Sequence, residues 1–258
     1  MKKILLIPIS WFGFFFVGPI CIMLIYSFLS RGSYGEIVWD FQFQNYVRAI
    51  DPLYFKVYFN SLKLAMQTTL MCLFLGVPIA YLLAISKSRY KNVFLFLIVL
   101  PFLTNFLIRT YALKNLLLGF LIDSQFIAVQ LGMITNYLPL MILPLYIGFE
   151  KFDFSLIEAA RDLGANSYIA FFKIFIPNNY SSLVSAALMV FIPCLGEFVI
   201  PDLLGGAQVQ TLGKLISEQI LKVRDWPFAA SLAMIMILIM LVPNLFSGLK
   251  RFLKLGKV

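Results

Sequence analysis

Long apolar runs alternate with short polar stretches along the chain, and the runs have the length of membrane-crossing helices rather than the stripe of surface helices. The first, Ile4–Phe28, follows Lys2 and Lys3. At about 1.5 Å per residue it can cross a hydrocarbon layer about 30 Å thick. It is too long for the roughly 7–15-residue apolar core of a cleaved signal, so it reads as an uncleaved first helix. Further runs predict spans at about 61–85, 93–113, 127–149, 182–204 and 228–249. Pro78, Pro139 and Pro144 are tolerable inside such spans when neighbouring groups satisfy the freed carbonyls. Residues 30–59 read as an external loop. The third run is interrupted from Thr104-Asn105 through Arg109 to Lys114, which predicts a broken or short helix with a re-entrant segment. The pattern is that of an all-α polytopic membrane protein with six transmembrane helices, residues 1–258 forming one transmembrane domain.

Composition removes the alternatives. The 258 residues are 61% hydrophobic and 13% charged, against about half and a quarter in ordinary soluble domains. A soluble surface could not hide so much apolar area, and a solvated coil would not contain it. There is no histidine, which excludes His-based catalysis and His-ligated metal. Cys21, Cys72 and Cys194 lie far apart inside apolar runs, with no C-x-x-C pair, and read as small apolar residues. The net charge of +9 has no basic cluster on a polar fold to present it to nucleic acid. Lys87, Arg89 and Lys91 in one short turn, and Lys250, Arg251 and Lys254 in the tail, instead mark cytoplasmic ends of spans. Both termini and the loop 150–177 are then expected inside.

That loop is the one long polar stretch near the middle of the chain. It reads Glu158-Ala159-Ala160-Arg161-Asp162-Leu163-Gly164, followed after nine residues by Ile174-Phe175-Ile176-Pro177. Ser155 is a candidate N-cap for a short helix, Ala159 and Ala160 allow close approach of another surface, and Gly164 suits the helix C-cap. Phe171, Phe172, Ile174 and Phe175 form an apolar foot. A short, sharply ended helix held against the membrane is a docking element.

The pattern E-A-A-x-x-x-G-x(9)-I-x-L-P resembles the signature of importer-type ABC permeases, with Ile176 in place of the Leu. The chain is similar over nearly its whole length to the spermidine/putrescine (PotB/PotH-like) permease family. The matching stretches are Asp51–Phe55, Thr104–Tyr111, Glu158–Gly164, Gly196–Gly206 and Arg224–Phe228, with an abbreviated connection around Gly119–Ile127 as a departure. The resemblance implies a type I (MetI-like) permease fold in a bacterial inner membrane. It also implies a coupling helix built on Glu158, Ala159, Ala160, Arg161, Asp162, Gly164, Ile174 and Pro177. The implied partners are an ATP-binding subunit dimer, a second permease subunit and an external solute-binding protein. ATP and Mg would be held by the ATPase and no cofactor by this chain. Leu212-Gly213-Lys214-Leu215 is no phosphate loop, since Gln208 stands where Gly is required and Leu215 where Ser or Thr is required.

Polyamines are polycations, and a route for them needs carboxylates, carbonyls and aromatic faces. Glu197 is the carboxylate expected inside a span, with Asp202 near the outer end of the same span. The two would share a lumen if the helix unwinds near Pro201. Glu197 could instead pair with Arg109 or Lys114 and serve packing alone. Tyr111 and Trp226 are aromatic candidates for the same route, or simple interface markers. Two alternatives remain at this stage: the same architecture for sulfate, iron or phosphate, and a non-ABC channel, transporter or membrane-embedded enzyme.

Overall fold

A computed structural model describes Pro8, residues 10–119 and residues 124–255. The expectations resting on Lys2, Lys3, the first residues of the Ile4 run and positions 120–123 lie outside the described residues, as do the side chains of the basic tail. Almost everything described is helical. The exception is one two-residue antiparallel ladder, β1 (Ser30–Arg31) on β2 (Ile37–Val38), with Ser30 opposite Val38 and Arg31 opposite Ile37.

The helices are α1 (Ser10–Ser27), α2 (Gln44–Ala49), α3 (Pro52–Ile85), α4 (Lys91–Leu103), α5 (Phe106–Gly119) and α6 (Gln125–Glu150). They continue as α7 (Ser155–Asp162), α8 (Ser167–Asn178), α9 (Tyr180–Gly196), α10 (Val199–Gly205), α11 (Leu212–Glu218) and α12 (Trp226–Leu255). Among the described residues α1, α3 and α6 are long and apolar enough to cross a membrane. Two further candidates are bent pairs, α4 with α5 at 94° and α8 with α9 at 71°. The apolar part of α12, Trp226–Leu241, is shorter.

Two expectations change and one is met. The second span begins at Pro52, not near 61, because Asp51 accepts the Leu53 N–H at 2.9 Å while Pro52, which has no N–H, takes the first helical position. The run 93–113 is broken where its polar interruption predicts: the chain turns at Thr104-Asn105, and Asn105 Oδ1 accepts from the N–H groups of Leu107 (2.9 Å) and Ile108 (3.4 Å) to start α5. The run 182–204 is likewise divided, at Glu197-Phe198. Pro201 stands inside α10 rather than at the unwinding point.

The chain divides into two compact units, one formed by residues up to Ser61 with those from Gln210 onward, the other by Leu62–Val209. In the first, Ala49, Leu212, Phe228 and Leu232 form a buried core. Asp225 is 2% exposed, caps α12 through the Phe228 N–H (3.1 Å) and receives Arg48 Nη1 at 3.0 Å. The Arg48 guanidinium also lies 4.1 Å from the Phe228 ring centre. A carboxylate so enclosed is kept because its charge is paired and its oxygens are bonded.

In the second unit, helices α6 and α9 pack along their length, and Val129, Met133, Met141, Leu145, Phe149 and Val190 are fully buried. Glycine at 132 lets α10 approach α6: a Cβ there would run into Leu204 and Ile200. At one end of this unit Phe175 is wholly buried, its ring centre 4.7 Å from those of Phe149 and Tyr81 and 5.0 Å from that of Phe152. Cys72 and Cys194 are buried as expected, whereas Cys21 is exposed.

Phe175→Ala is expected to cost about 3–5 kcal/mol of stability, as large-to-small changes in aromatic cores do. Phe172→Ala, at a ring 50% exposed, should cost less than about 1 kcal/mol. Detergent-titrated unfolding of the purified chain measures both, and equal losses would contradict the aromatic cluster as the anchor of this region.

Candidate functional site

The loop 150–177 is not irregular; it holds α7 and most of α8. Asp153, rather than Ser155, supplies the cap at the start of α7: its Oδ1 accepts the Ser155 N–H at 3.0 Å, and bonding from Ser155 holds its carboxyl below the usual range. The end of α7 is a Schellman turn. Gly164, at φ +88°, donates to Arg161 O at 2.9 Å, and Ala165 donates to Ala160 O at 3.0 Å. Gly164 therefore occupies the left-handed position expected of it, where a Cβ would cost about 1–2 kcal/mol.

The helix so delimited buries Ile157 and Ala160, one turn apart, and presents Glu158, Ala159, Arg161 and Asp162 outward. Leu163 at its tip is 90% exposed. Beneath it lies a cavity of about 400 Å³ lined by Tyr81, Ile85, Lys87, Phe154, Ile157 and Glu158. Phe154 and Phe171 join the rings around Phe175, so the foot is real, and half-exposed Phe172 stands at its edge, 5.1 Å from Phe171 and 4.5 Å from Tyr168. Ile174 is half-buried and Pro177 exposed, so of the eight residues assigned to docking these two lie along α8, apart from the exposed face of α7. Lys91 Nζ reaches Glu150 Oε1 at 2.9 Å, and Tyr146 donates to the same oxygen at 2.6 Å, fixing the point where the chain leaves α6. Exposed as it is, that pair contributes little to stability.

The route residues are placed differently from the expectation. Glu197 is not inside a continuous helix; it is the extended residue at the break, φ −65° and ψ 126°. Its Oε1 accepts from the N–H groups of Val199 (2.9 Å) and Ile200 (3.4 Å), and its Oε2 from the Tyr137 hydroxyl at 2.5 Å. Asp202 lies in the first turn of α10 and is exposed. Both carboxylates therefore stand at the amino end of one short helix, where its dipole favours negative charge. Arg109 does not need either: its Nε donates to Asn136 Oδ1 at 2.8 Å and its Nη1 to the Pro101 carbonyl left open where α4 ends. Tyr111, on α5, is 51% exposed. Trp226 belongs to the other unit, at the start of α12, and lines an apolar cavity of about 320 Å³ with Pro19, Ile22, Met23, Tyr26 and Ile216. Sequence reasoning passed over Tyr137 and Asn136. Nothing marks them in the sequence except that polar residues stand in an apolar helix, which in lipid calls for a partner.

The family described as "Binding-protein-dependent transport system inner membrane component" matches residues 74–251. The spermidine/putrescine transport system permease protein PotB of Haemophilus influenzae is 38% identical over 241 residues, 87% of this chain and 84% of that one. PotB of Escherichia coli is 38% identical over 249 residues, 90% of each chain. Among solved structures, a bacterial ABC transporter involved in the import of the acidic polysaccharide alginate aligns with TM-score 0.69 at 21% identity, over 97% of this chain and 95% of that one. At that identity it bears on the fold alone: helical, and of the kind found in ABC importer permeases.

Tyr137→Phe keeps the ring and removes one bond to a carboxylate, so a loss of about 1.5–3 kcal/mol is expected. The same unfolding titration measures it; an unchanged midpoint would show that the break at Glu197 does not depend on this bond.

Proposed function

The chain belongs to the family of inner membrane components of binding-protein-dependent transport systems, and within it we propose that this protein is the membrane-spanning permease subunit of an ATP-driven importer for polyamines. The observation that carries the reading is the 38% identity to spermidine/putrescine permeases over nearly nine-tenths of the chain. It is a transport subunit and not an enzyme, ATP hydrolysis belonging to a separate subunit.

In this reading the chain crosses the bacterial inner membrane six times with both termini in the cytoplasm. Its complex contains an ATP-binding subunit dimer, a second permease subunit and an external solute-binding protein, with ATP and Mg held by the ATPase. The outward face of α7, with Glu158, Ala159, Arg161 and Asp162, docks on the ATPase. The support is geometric: an eight-residue helix closed at both ends and seated on fully buried aromatics moves as one piece. Closure of the ATPase dimer then shifts the spans between inward- and outward-open populations. Glu197 and Asp202 supply negative charge to the route of the cation, with Tyr111 and Trp226 as aromatic contacts. An ammonium group crossing bare hydrocarbon costs at least a few kcal/mol, which such groups offset. Glu197 would do both tasks, holding the start of α10 with one oxygen while its charge attracts the substrate.

Vesicles containing the assembled importer should take up labelled putrescine or spermidine on ATP addition and leave sulfate and iron outside. Uptake of sulfate or iron in place of polyamine would overturn the substrate assignment. In the same vesicles Glu158→Lys should abolish substrate-stimulated ATP hydrolysis while the external receptor still binds polyamine. Glu197→Gln, which keeps an acceptor for the α10 N–H groups but drops the charge, should allow assembly and lower uptake at least tenfold, a loss of about 1.4 kcal/mol or more. Wild-type uptake by either variant would remove the role given to that residue.

A further inference from the structure

The segment that joins α1 to α3 leaves a run of aromatic residues uncovered: Trp39 is 71% exposed, Phe41 68% and Phe43 73%. Val47, Ile50 and Leu53 follow at 62%, 75% and 72%. None of these positions lies within α1, and all but Leu53 precede α3, so this is apolar surface outside the two long helices. Polar groups are interleaved with it, including exposed Asp40 and Arg48, so the segment is neither a hydrocarbon-spanning run nor a water-soluble loop.

Its depth is fixed by the chain itself. Gln42 N donates to Phe28 O at 2.7 Å, and Asn45 Nδ2 donates to Ser27 O (3.0 Å) and Leu29 O (2.7 Å). The Phe28 ring meets Phe43 at 5.4 Å and Tyr46 at 5.2 Å, and the Ser27 and Tyr46 hydroxyls are 2.8 Å apart. Residues 27–29 are where α1 ends, so the segment is bonded sideways to the mouth of a membrane-crossing helix. At its other end it passes directly into α3, whose first turns again expose Leu53 and Phe55. A segment bonded along the place where a spanning helix ends lies in the headgroup layer, where rings mixed with polar groups are stabilised.

We infer that residues 39–43 form an interfacial anchor whose Trp39, Phe41 and Phe43 rings sit in the boundary between lipid headgroups and acyl chains. The occupant of this surface is phospholipid, not a protein subunit. The anchor holds the linked pair of α1 and α3 at a set depth, against which other segments can move.

The test is spin-label accessibility in the assembled importer, reconstituted in phosphatidylcholine vesicles with all native cysteines replaced. Labels are placed in Trp39→Cys and, separately, in Phe41→Cys; both side chains are mostly exposed, so neither change removes core packing. Ser33→Cys, in the exposed turn of the β1–β2 hairpin, is the aqueous reference. Collision with oxygen, which concentrates in lipid, should exceed collision with a water-soluble nickel chelate several-fold at 39 and 41, with the reverse at 33. Dominant nickel collision at either position would place the segment in water. Low collision with both reagents would show a protein partner covering it, the solute-binding protein or the second permease. Either result overturns the inference.

Discussion

A helix that stops inside lipid exposes backbone N–H and C=O groups that hydrocarbon cannot satisfy, at several kcal/mol each. This constraint explains where the polar side chains of an otherwise greasy chain are found. At the turn between α4 and α5, Asn105 takes the first N–H groups of α5, while Thr104 Oγ1 (2.7 Å) and Arg109 Nη1 both donate to the Pro101 carbonyl at the end of α4. At the turn between α8 and α9, buried Asn179 donates to Phe175 O at 2.9 Å. At the break after α9, Glu197 accepts from Val199 and Ile200. Each bend is paired with a side chain that satisfies the backbone groups it leaves open.

The same constraint separates rigid parts from breakable ones. Within α6, Pro139 and Pro144 interrupt the ladder but the helix runs on, held by packing against α9. The breaks differ because the satisfying group is a side chain from outside the ladder, which can be exchanged for another donor or acceptor. Tyr137 on α6 and Glu197 beyond α9 share such a bond, and α10 also packs closely on α6 at Gly132 and where Gly205 meets Val129.

Much of this was legible in the sequence because lipid imposes simple rules. Apolar length located α1, α3 and α6, and the E-A-A-x-x-x-G spacing located α7 and its Gly164 end. Boundaries at polar residues were less legible. Asp51-Pro52 is a helix start, yet the exposed polar stretch before it read as a loop that continued to 59. The polar interruption at Thr104-Asn105 announced its break, whereas the break at Glu197-Phe198 is one that hydropathy averaged over a window does not distinguish from a tolerated polar residue. Ser155 had the right chemistry for a cap, but Asp153 precedes it with a stronger acceptor. Tyr137 was invisible because its partner is 60 residues away, and only the fold brings the two together.

In the proposed route, the structural and transport roles of the carboxylate at 197 need not compete. A charge in a membrane is retained when something offsets its desolvation. Here the α10 N–H groups and the Tyr137 hydroxyl do so continuously, with no substrate needed. That leaves the site preorganised: the carboxylate keeps its position when no cation is present and is not obliged to collapse onto Arg109, which is committed to Asn136 and the Pro101 carbonyl. In the proposed route, a carboxylate already bonded by backbone N–H groups would attract a cation without binding it so tightly that it cannot leave, the balance conduction requires.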